Sequence, residues 1–482
     1  MTLRRWLPVV VLFVLVAAYA EPPALQQTVD RLAGSVYTGP SMDTLRELTD
    51  GFGGRVTGSP AYEKAAEWAA TRFKSYGIQN VQLEAFTIPA GWQRGAASGR
   101  MLRPAERPLH LESIAWVPST PAGGVKGEVV LVDDITADKL RARTDLRGRI
   151  VLLDTAKIYA DGFLKALPLF HAAYPLLKEA GALGVLYPDR ESNNVFNAHD
   201  AGWGATMSAL PIAQLGMEDA KLIKRMLDHG EKIEVAFDLQ NQVTGPTQVH
   251  NVVAEIRGSE KPEEWILIGA HLDSWDFGTG AQDNGTGTAM VLEAARGIAA
   301  LGQAPRRSIR FALWGGEEQG LLGSYAYTQA HVAELEHCVA VLNTDNGSGH
   351  PKGWKVEGRP DLRDAMQPLS DSLLKALNGG NLSLDVSYDT DHGPFMLYGI
   401  PALDLWVDMA HYGEVHHKAS DTYDKVDALD FKGGAAIVTV TAFAIAQDPK
   451  PIAAHIDHAA VAAILKKQGL EDLLISVGQW KP

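Results

Sequence analysis

Ile266-Leu267-Ile268-Gly269-Ala270-His271-Leu272-Asp273, running on through Ser274–Gly280 to Ala281-Gln282-Asp283-Asn284-Gly285, is the stretch whose reading decides the fold. Its apolar opening fits a strand buried on both faces of a parallel sheet, where no alternation with polar residues is required. Such a strand delivers His271 and Asp273 at its carboxyl end, the edge at which open α/β sheets place their sites. A glycine-rich loop carrying Asp283 follows. Beyond it Met290, Ala294, Ile298 and Leu301 recur at spacings of four and three, which makes one apolar helical face. An imidazole and a carboxylate thus stand at the two ends of one loop beside a rigid strand, a geometry able to hold a metal ion.

Downstream, the same rhythm repeats. Strands are expected at 252–256, 265–270, 308–314, 338–343 and 401–406, and helices at 288–300, 321–334, 361–377 and 434–447. This alternation predicts an α/β fold: a doubly wound, mixed but mostly parallel sheet with helices on both faces. Upstream, Ser59-Pro60 starts a helix, with Ser59 as N-cap and Pro60 in the first turn, and Val81–Phe86 alternates as a strand. Between 97 and 244 the texture changes to short strands separated by turns, and no acids and histidines there have metal-ligand spacing. The expected organisation is an α/β unit at 21–96 and 245–450, a non-catalytic β-rich insertion at 97–244 and a weakly helical tail at 451–482.

The chain has 482 residues, long for one domain, with 46% hydrophobic and 21% charged residues, ordinary globular values. A formal net charge of −14 argues against nucleic acid or an anionic membrane as partner. The single cysteine, Cys338, excludes an intramolecular disulfide and sits beside the apolar run Val339–Leu342, as a small buried hydrophobe would. Arg4 and Arg5 precede an apolar run to Ala18, and Ala18-Tyr19-Ala20 has the form of a cleavage site. A signal peptide at 1–20 is therefore expected, with secretion or periplasmic export and no lasting membrane insertion.

Three further clusters follow the opening stretch. Trp314-Gly315-Gly316-Glu317-Glu318-Gln319-Gly320 and Leu342-Asn343-Thr344-Asp345-Asn346-Gly347 each run from a strand into acids and glycines. His416-His417-Lys418-Ala419-Ser420-Asp421-Thr422 is a polar loop before the last long helix. Singly, a histidine at a strand end is usually just a hydrogen-bonded residue, and Asp-Asn-Gly is usually a turn. Together, His, Asp, Glu, Asp and His occur in succession at the ends of consecutive strands, along one edge of a parallel sheet. Two imidazoles and three carboxylates suit two zinc ions.

This ordered set (His-x-Asp, Asp-Asn-Gly, Glu-Glu-x-Gly, a strand-end Asp, His-x-x-x-Asp-Thr) resembles the zinc-dependent aminopeptidase family with co-catalytic metals. Its members include secreted bacterial aminopeptidases and the plasma glutamate carboxypeptidase type. The Gly148–Asp154 and Lys178–Tyr187 segments resemble the protease-associated domain inserted in several such enzymes. The resemblance implies two zinc ions per chain, His271 and Asp345 on one, Glu318 and His417 on the other, and Asp283 bridging. His417 is preferred to His416 because the family's ligand lies four residues before the Asp of Asp-Thr, here Asp421. It also implies Glu317 as general base, Asp273 accepting a hydrogen bond from His271, and a cis peptide at Asp283-Asn284. Asp391 and His392, in a segment like the family's Ser-Asp-His, are expected to line the substrate pocket. The implied activity is removal of single residues from peptide N-termini. The alternatives are a dipeptidase or carboxypeptidase, a receptor-like binding protein, or a single-zinc glutaminyl cyclase. Whether Arg359 or Lys418 reaches the pocket to receive a substrate carboxylate is not legible from the sequence.

Overall fold

The computed structural model describes residues 23–160 and 162–481, so the expected signal peptide lies outside the described residues. Eight strands form the sheet that carries the predicted clusters: β1 (Asn80–Ile88), β2 (Thr247–Ile256), β3 (Lys261–His271), β4 (Arg307–Trp314), β5 (Cys338–Asn343), β6 (Pro351–Lys355), β7 (Asn381–Ser383) and β8 (Ala402–Val407). Their spatial order is β1-β2-β4-β3-β5-β8-β6-β7. The centre, β4-β3-β5-β8, is parallel, whereas β1 and β2 pair antiparallel, as do β2 and β4. The sheet is mixed, as expected, and its parallel part is where the site lies.

The burial of β3 follows directly from its composition. Ile266, Ile268 and Ala270 pack into the larger core, with the helices Thr286–Ala299 and Ala428–Gln447, while Trp265 and Leu267 pack with Tyr327 and Phe395 on the other face. Alternate side chains of one strand thus feed two cores, which is why the run is apolar throughout. The helix Ala428–Gln447 is long and apolar enough to cross a membrane, but most of it is buried inside the protein. Its uniform apolarity reflects a position against the sheet.

Ser59 caps the helix Pro60–Ser75 as expected, its Oγ accepting the Tyr62 amide at 3.2 Å, with Pro60 in the first turn. Two expectations change. The helix predicted over 361–377 runs only from Pro360 to Leu369 and then loosens into π- and 3₁₀-type turns, with Pro368 in its last turn and Asn378 at φ 61° ending it. Conversely, within the stretch read as short strands separated by turns, Phe163–Glu179 is one long helix, which Pro168 and Pro175 interrupt in pattern without ending.

A second eight-stranded sheet is built entirely from strands between Ala97 and Leu239, with its own apolar core around Ile150, Val185, Ile212 and Phe237. The short pairing of Trp92–Gln93 with Gln242–Val243 closes its base where the chain leaves and re-enters the first sheet. The tail holds two short helices, His458–Gln468 and Glu471–Ser476.

Candidate metal centre and active site

All four sequence clusters meet at the carboxyl edge of the parallel strands. His271 ends β3, Glu317 and Glu318 follow β4, Asp345 follows β5, and His416-His417 lie beyond β8. His271 Nε2 is 3.0 Å from Asp345 Oδ1 and 3.2 Å from Asp283 Oδ1. His417 Nε2 is 3.0 Å from Glu318 Oε2 and 3.3 Å from Asp283 Oδ2. Asp283 therefore stands between two groups of donors, one containing His271 and Asp345, the other the paired histidines. The peptide Asp283-Asn284 is cis, as the resemblance implied.

His416 also turns inward. Its Nε2 is 3.5 Å from Asp283 Oδ2 and its ring stacks on His417 at 3.7 Å, but it does not contact Glu318. His417 adopts φ 61°, a left-handed conformation that brings the two consecutive rings to the same side.

The charge pattern fits metal cations. Asp283 Oδ2 and Glu318 Oε1 are buried with no hydrogen-bond partner. Leaving a buried carboxylate oxygen unpaired is costly unless a cation or proton meets it. Burial raises Glu318 and Asp345 to about 7 each, despite the neighbouring histidines. Burial works the other way on His417, but Glu318 and Asp283 outweigh it and raise the imidazole to about 10. Burial works to raise Asp283, but the imidazoles of His271, His417 and His416 that face it outweigh burial and hold its carboxyl well below the usual carboxylate range. Imidazole nitrogens and carboxylate oxygens converging in this way are the donor set that zinc prefers.

Glu317 sits one residue from this set, largely buried, its Oε2 4.0 Å from His271 Nε2. Burial, opposed by His271 but reinforced by Asp345, Asp391 and Glu318, raises its carboxyl well above the usual range. Asp273 is placed differently from the expectation. The His271 Nδ1–H donates to the Asp273 main-chain carbonyl at 2.9 Å, and the carboxylate Oδ1 lies at 3.6 Å. The main chain thus sets the tautomer. The Asp273 carboxylate instead accepts the amides of Glu317 and Glu318 at 3.3 and 3.4 Å and the Thr57 hydroxyl at 2.8 Å. It holds the Glu317-Glu318 turn against the end of β3.

Asp391 is fully buried beside the cluster. Its Oδ1 accepts the Ser324 hydroxyl at 2.5 Å, its Oδ2 has no partner, and burial raises it to about 8. His392 does not line an open pocket. Its ring is completely buried, 3.3 Å from Thr390 Oγ1 and 3.5 Å from Glu357 Oε1, so it belongs to the packing beneath the site. Arg359 and Lys418 are both engaged elsewhere. Arg359 holds Asp361 and the carbonyls of Gly399 and Ala454, and Lys418 holds the Gly413 carbonyl and Glu191.

Two residues central to this geometry were given no role in the site by the sequence, although Asp421 marks the His-x-x-x-Asp-Thr motif. Asp421 Oδ1 and Oδ2 accept the amides of Gln282 and Asp283 at 2.7 and 3.1 Å and so fix the loop that presents Asp283. Arg55 is completely buried behind the loop and donates to the carbonyls of Leu272, Gly53, Thr279 and Gly280. Gly280, at φ 60°, has no room for a Cβ, which would meet Ser274 and the Arg55 guanidinium. For Arg55 the one available signal was its place inside the glycine-rich Gly53-Gly54-Arg55-Val56-Thr57-Gly58 stretch, which reads equally well as a turn.

A family model described as peptidase family M28 matches residues 251–440, the stretch that contains these clusters. Carboxypeptidase Q of Homo sapiens is 31% identical over 409 residues, 84% of this chain and 85% of that protein. The Mus musculus carboxypeptidase Q is 30% identical over 413 residues, 85% of this chain and 86% of that protein. The crystal structure of a peptidase M28 precursor from Shewanella amazonensis SB2B superposes with a TM-score of 0.77 at 28% identity, covering 90% of this chain and 99% of that one. BSAP, a zinc aminopeptidase from Bacillus subtilis, shares the fold with a TM-score of 0.67 at 21% identity, over 88% of this chain and 98% of that one. With its ligand-type side chains gathered at one sheet edge and relatives matched over most of their length, the chain belongs to peptidase family M28 and is a metallo-exopeptidase.

Proposed function

We propose that this protein is an exported di-zinc exopeptidase that hydrolyses the N-terminal bond of peptides. The observation that carries the reading is Asp283, shared by two sets of converging donors, with its own Oδ2 and Glu318 Oε1 unpartnered. His271 and Asp345 would hold one zinc, Glu318 and His417 the other, and Asp283 both. When bound, two zinc ions supply Lewis-acid polarisation of the scissile carbonyl and make water acidic enough to attack at neutral pH. Glu317 accepts the proton of the attacking water and returns it to the departing amine. Its position supports that role: it adjoins the donor set, and Asp273 fixes its amide at 3.3 Å. Asp273 is a positioning residue that holds the Glu317-Glu318 turn. Residues 97–244 are read as an inserted domain of the protease-associated type, and residues 1–20 as the export signal.

The engagement of Arg359 and Lys418 elsewhere supports recognition at the amino end, since neither is free to receive a terminal carboxylate. A second reading, cleavage of dipeptides or of C-terminal residues, is favoured by the carboxypeptidase Q relatives and by Arg190. Arg190 is exposed, donates to Asn197 at 2.9 Å and acts electrostatically on His416.

The deciding experiment measures zinc per chain together with hydrolysis of an aminoacyl-anilide, a free dipeptide and an N-blocked peptide, with Glu317→Gln in parallel. Two zinc ions and anilide cleavage that Glu317→Gln reduces by about 10²–10⁴-fold are expected. Cleavage of only the dipeptide or the blocked peptide would establish the second reading, and a metal-free, inactive protein would overturn both.

A further inference from the structure

The second sheet reaches the catalytic loops through residues 196–204, a strap that touches both. At one end the Gly204 amide donates to the Gln319 carbonyl at 2.9 Å, beside the Glu317-Glu318 turn. At the other, Asn197 Nδ2 donates to the His416 carbonyl at 3.0 Å and the Ala198 amide to the His417 carbonyl at 2.8 Å. These two bonds fall on either side of one α-carbon. The His416 carbonyl belongs to the peptide whose rotation is φ of His417, and the His417 carbonyl to the peptide whose rotation is ψ. Two consecutive residues of the strap therefore clamp both backbone torsions of His417. Those torsions need clamping, because His417 stands at φ 61°, a left-handed conformation that is unfavourable for a residue with a side chain unless its surroundings fix it. The loop's own bonds secure the flanks: the His416 amide donates to the Tyr412 carbonyl and the Lys418 amide to the Val415 carbonyl, both at 2.9 Å.

Asn197 is itself held on every side. It is buried, and each of its four polar groups has a partner. Its amide donates to Asp189 Oδ2 at 3.0 Å, its carbonyl accepts Gln214 Nε2 at 2.7 Å, and its Oδ1 accepts the Arg190 guanidinium at 2.9 Å. Asp189 directly follows the strand Gly184–Pro188, Gln214 lies on the strand Ile212–Leu215, and both are buried. Three bonds thus root Asn197 in the second sheet, and the fourth is the one it gives to His416. We propose that Asn197 is a positioning residue for the metal centre, holding the His416-His417 peptide so that the His417 imidazole meets Glu318 and Asp283, at 3.0 and 3.3 Å. This rests on the di-zinc reading above, in which His417 is a ligand, and it gives the inserted domain a part in metal affinity. Released from Asn197, the peptide can relax out of the left-handed region and carry the ring away from its partners. Returning the ring then costs zinc affinity, and partners that orient a ligand from outside typically govern that affinity by about 10- to 100-fold.

The test measures stepwise zinc affinity by competition with a chelating indicator, on the whole chain as wild type, Asn197→Asp, His417→Ala and the double variant. Asn197→Asp keeps the size of the side chain and the acceptor for Arg190 but sets an oxygen against the His416 carbonyl. It is expected to weaken one zinc step about 10- to 100-fold and to leave the other unchanged. His417→Ala is expected to lose that same step, and Asn197→Asp to add nothing in its background, because the asparagine acts through His417. Linkage makes the coupling reciprocal, so in the unaltered chain zinc should slow hydrogen exchange of the Ala198 amide, a readout that needs no variant to fold. Wild-type affinity at both steps in Asn197→Asp, or an Ala198 exchange indifferent to zinc, would overturn the positioning role and leave the di-zinc reading standing. A double variant that holds its remaining zinc more weakly than His417→Ala would also overturn it, making Asn197 a general structural residue of the strap. A wild type that takes up fewer than two zinc ions, or a His417→Ala that keeps both at full affinity, would overturn the di-zinc assignment and the proposal with it.

Discussion

Replacing Arg55 with methionine tests the reasoning about the loop that carries Asp283. The guanidinium is completely buried and donates four hydrogen bonds, to Leu272 O at 2.7 Å, Gly53 O at 3.0 Å, Thr279 O at 2.7 Å and Gly280 O at 3.0 Å. Burial lowers its pKa to about 10, so it remains charged at neutral pH and faces Asp421, Asp273, Asp283 and Glu318. Each such bond contributes about 1.5 kcal/mol or more, which gives a gross loss of about 6 kcal/mol. Water entering the space and relaxation of the carbonyls return part of it. The net cost is expected near the roughly 3–5 kcal/mol seen when one partner of a buried ionic arrangement is removed. For a unit of this size, about 4 kcal/mol corresponds to a fall in Tm of roughly 8 °C. The fall should be larger in metal-free protein, where no zinc offsets the surrounding carboxylates. Arg55→Lys keeps the charge but loses the fork, and should fall in between. Thermal unfolding followed by tryptophan fluorescence and circular dichroism, with and without zinc, measures this. A Tm for Arg55→Met within about 1 °C of wild type would refute the argument that these four carbonyls depend on the guanidinium.

Further outcomes follow from the same geometry. His417→Ala should lose about one zinc per chain and His416→Ala should keep both, because His417 contacts both Glu318 and Asp283 whereas His416 reaches only Asp283; equal loss in the two variants would reverse the assignment. Asp283→Ala should lose both ions in the same elemental analysis, since it belongs to both donor groups. Zinc affinity should rise with pH through about 7, where Glu318 and Asp345 give up their protons, and proton release on zinc addition at pH 6.5 should exceed that at pH 8. In metal-free protein the folded-state pKa values of Glu318, Asp345 and Asp421 are about 7 and that of Asp391 about 8, above their unfolded values near 4. Folding therefore takes up protons, and the Tm should fall as pH rises from 6.5 to 8, with His417, raised to about 10, acting in the same direction. His416 and His199, lowered to about 4, act in the opposite direction, because their unfolded imidazoles still lose protons near 6.5, but the four carboxyls and His417 outweigh them. A Tm that climbs over this range would contradict the raised carboxyls.

What the chain determined by itself was the central parallel sheet and the residue types at its edge. Ile266–Ala270 must be buried on both faces, and the glycines after β3, β4 and β5 must turn the chain at one edge. Side chains placed next to those turns, His271, Glu317, Glu318 and Asp345, can then only converge. Local periodicity is strong in such strands, so sequence carries the information. Interactions that span hundreds of residues leave no local pattern. Arg55 reaches Gly280 through 225 positions of chain and Asp421 reaches Asp283 through 138; nothing beside Arg55 marks it, and the Asp-Thr motif marks Asp421 without showing that it holds the Asp283 loop. The same holds for Asp273, whose carboxylate turns away from His271 because the Glu317 and Glu318 amides compete for it, and for His392, sealed beneath the site. Most of all, only the packing of the second sheet against the first sets the Ala198 and Gly204 amides on the carbonyls of His417 and Gln319. Backbone hydrogen bonds, which any residue can make, tie residues 196–204 to both catalytic loops and leave no pattern in the sequence.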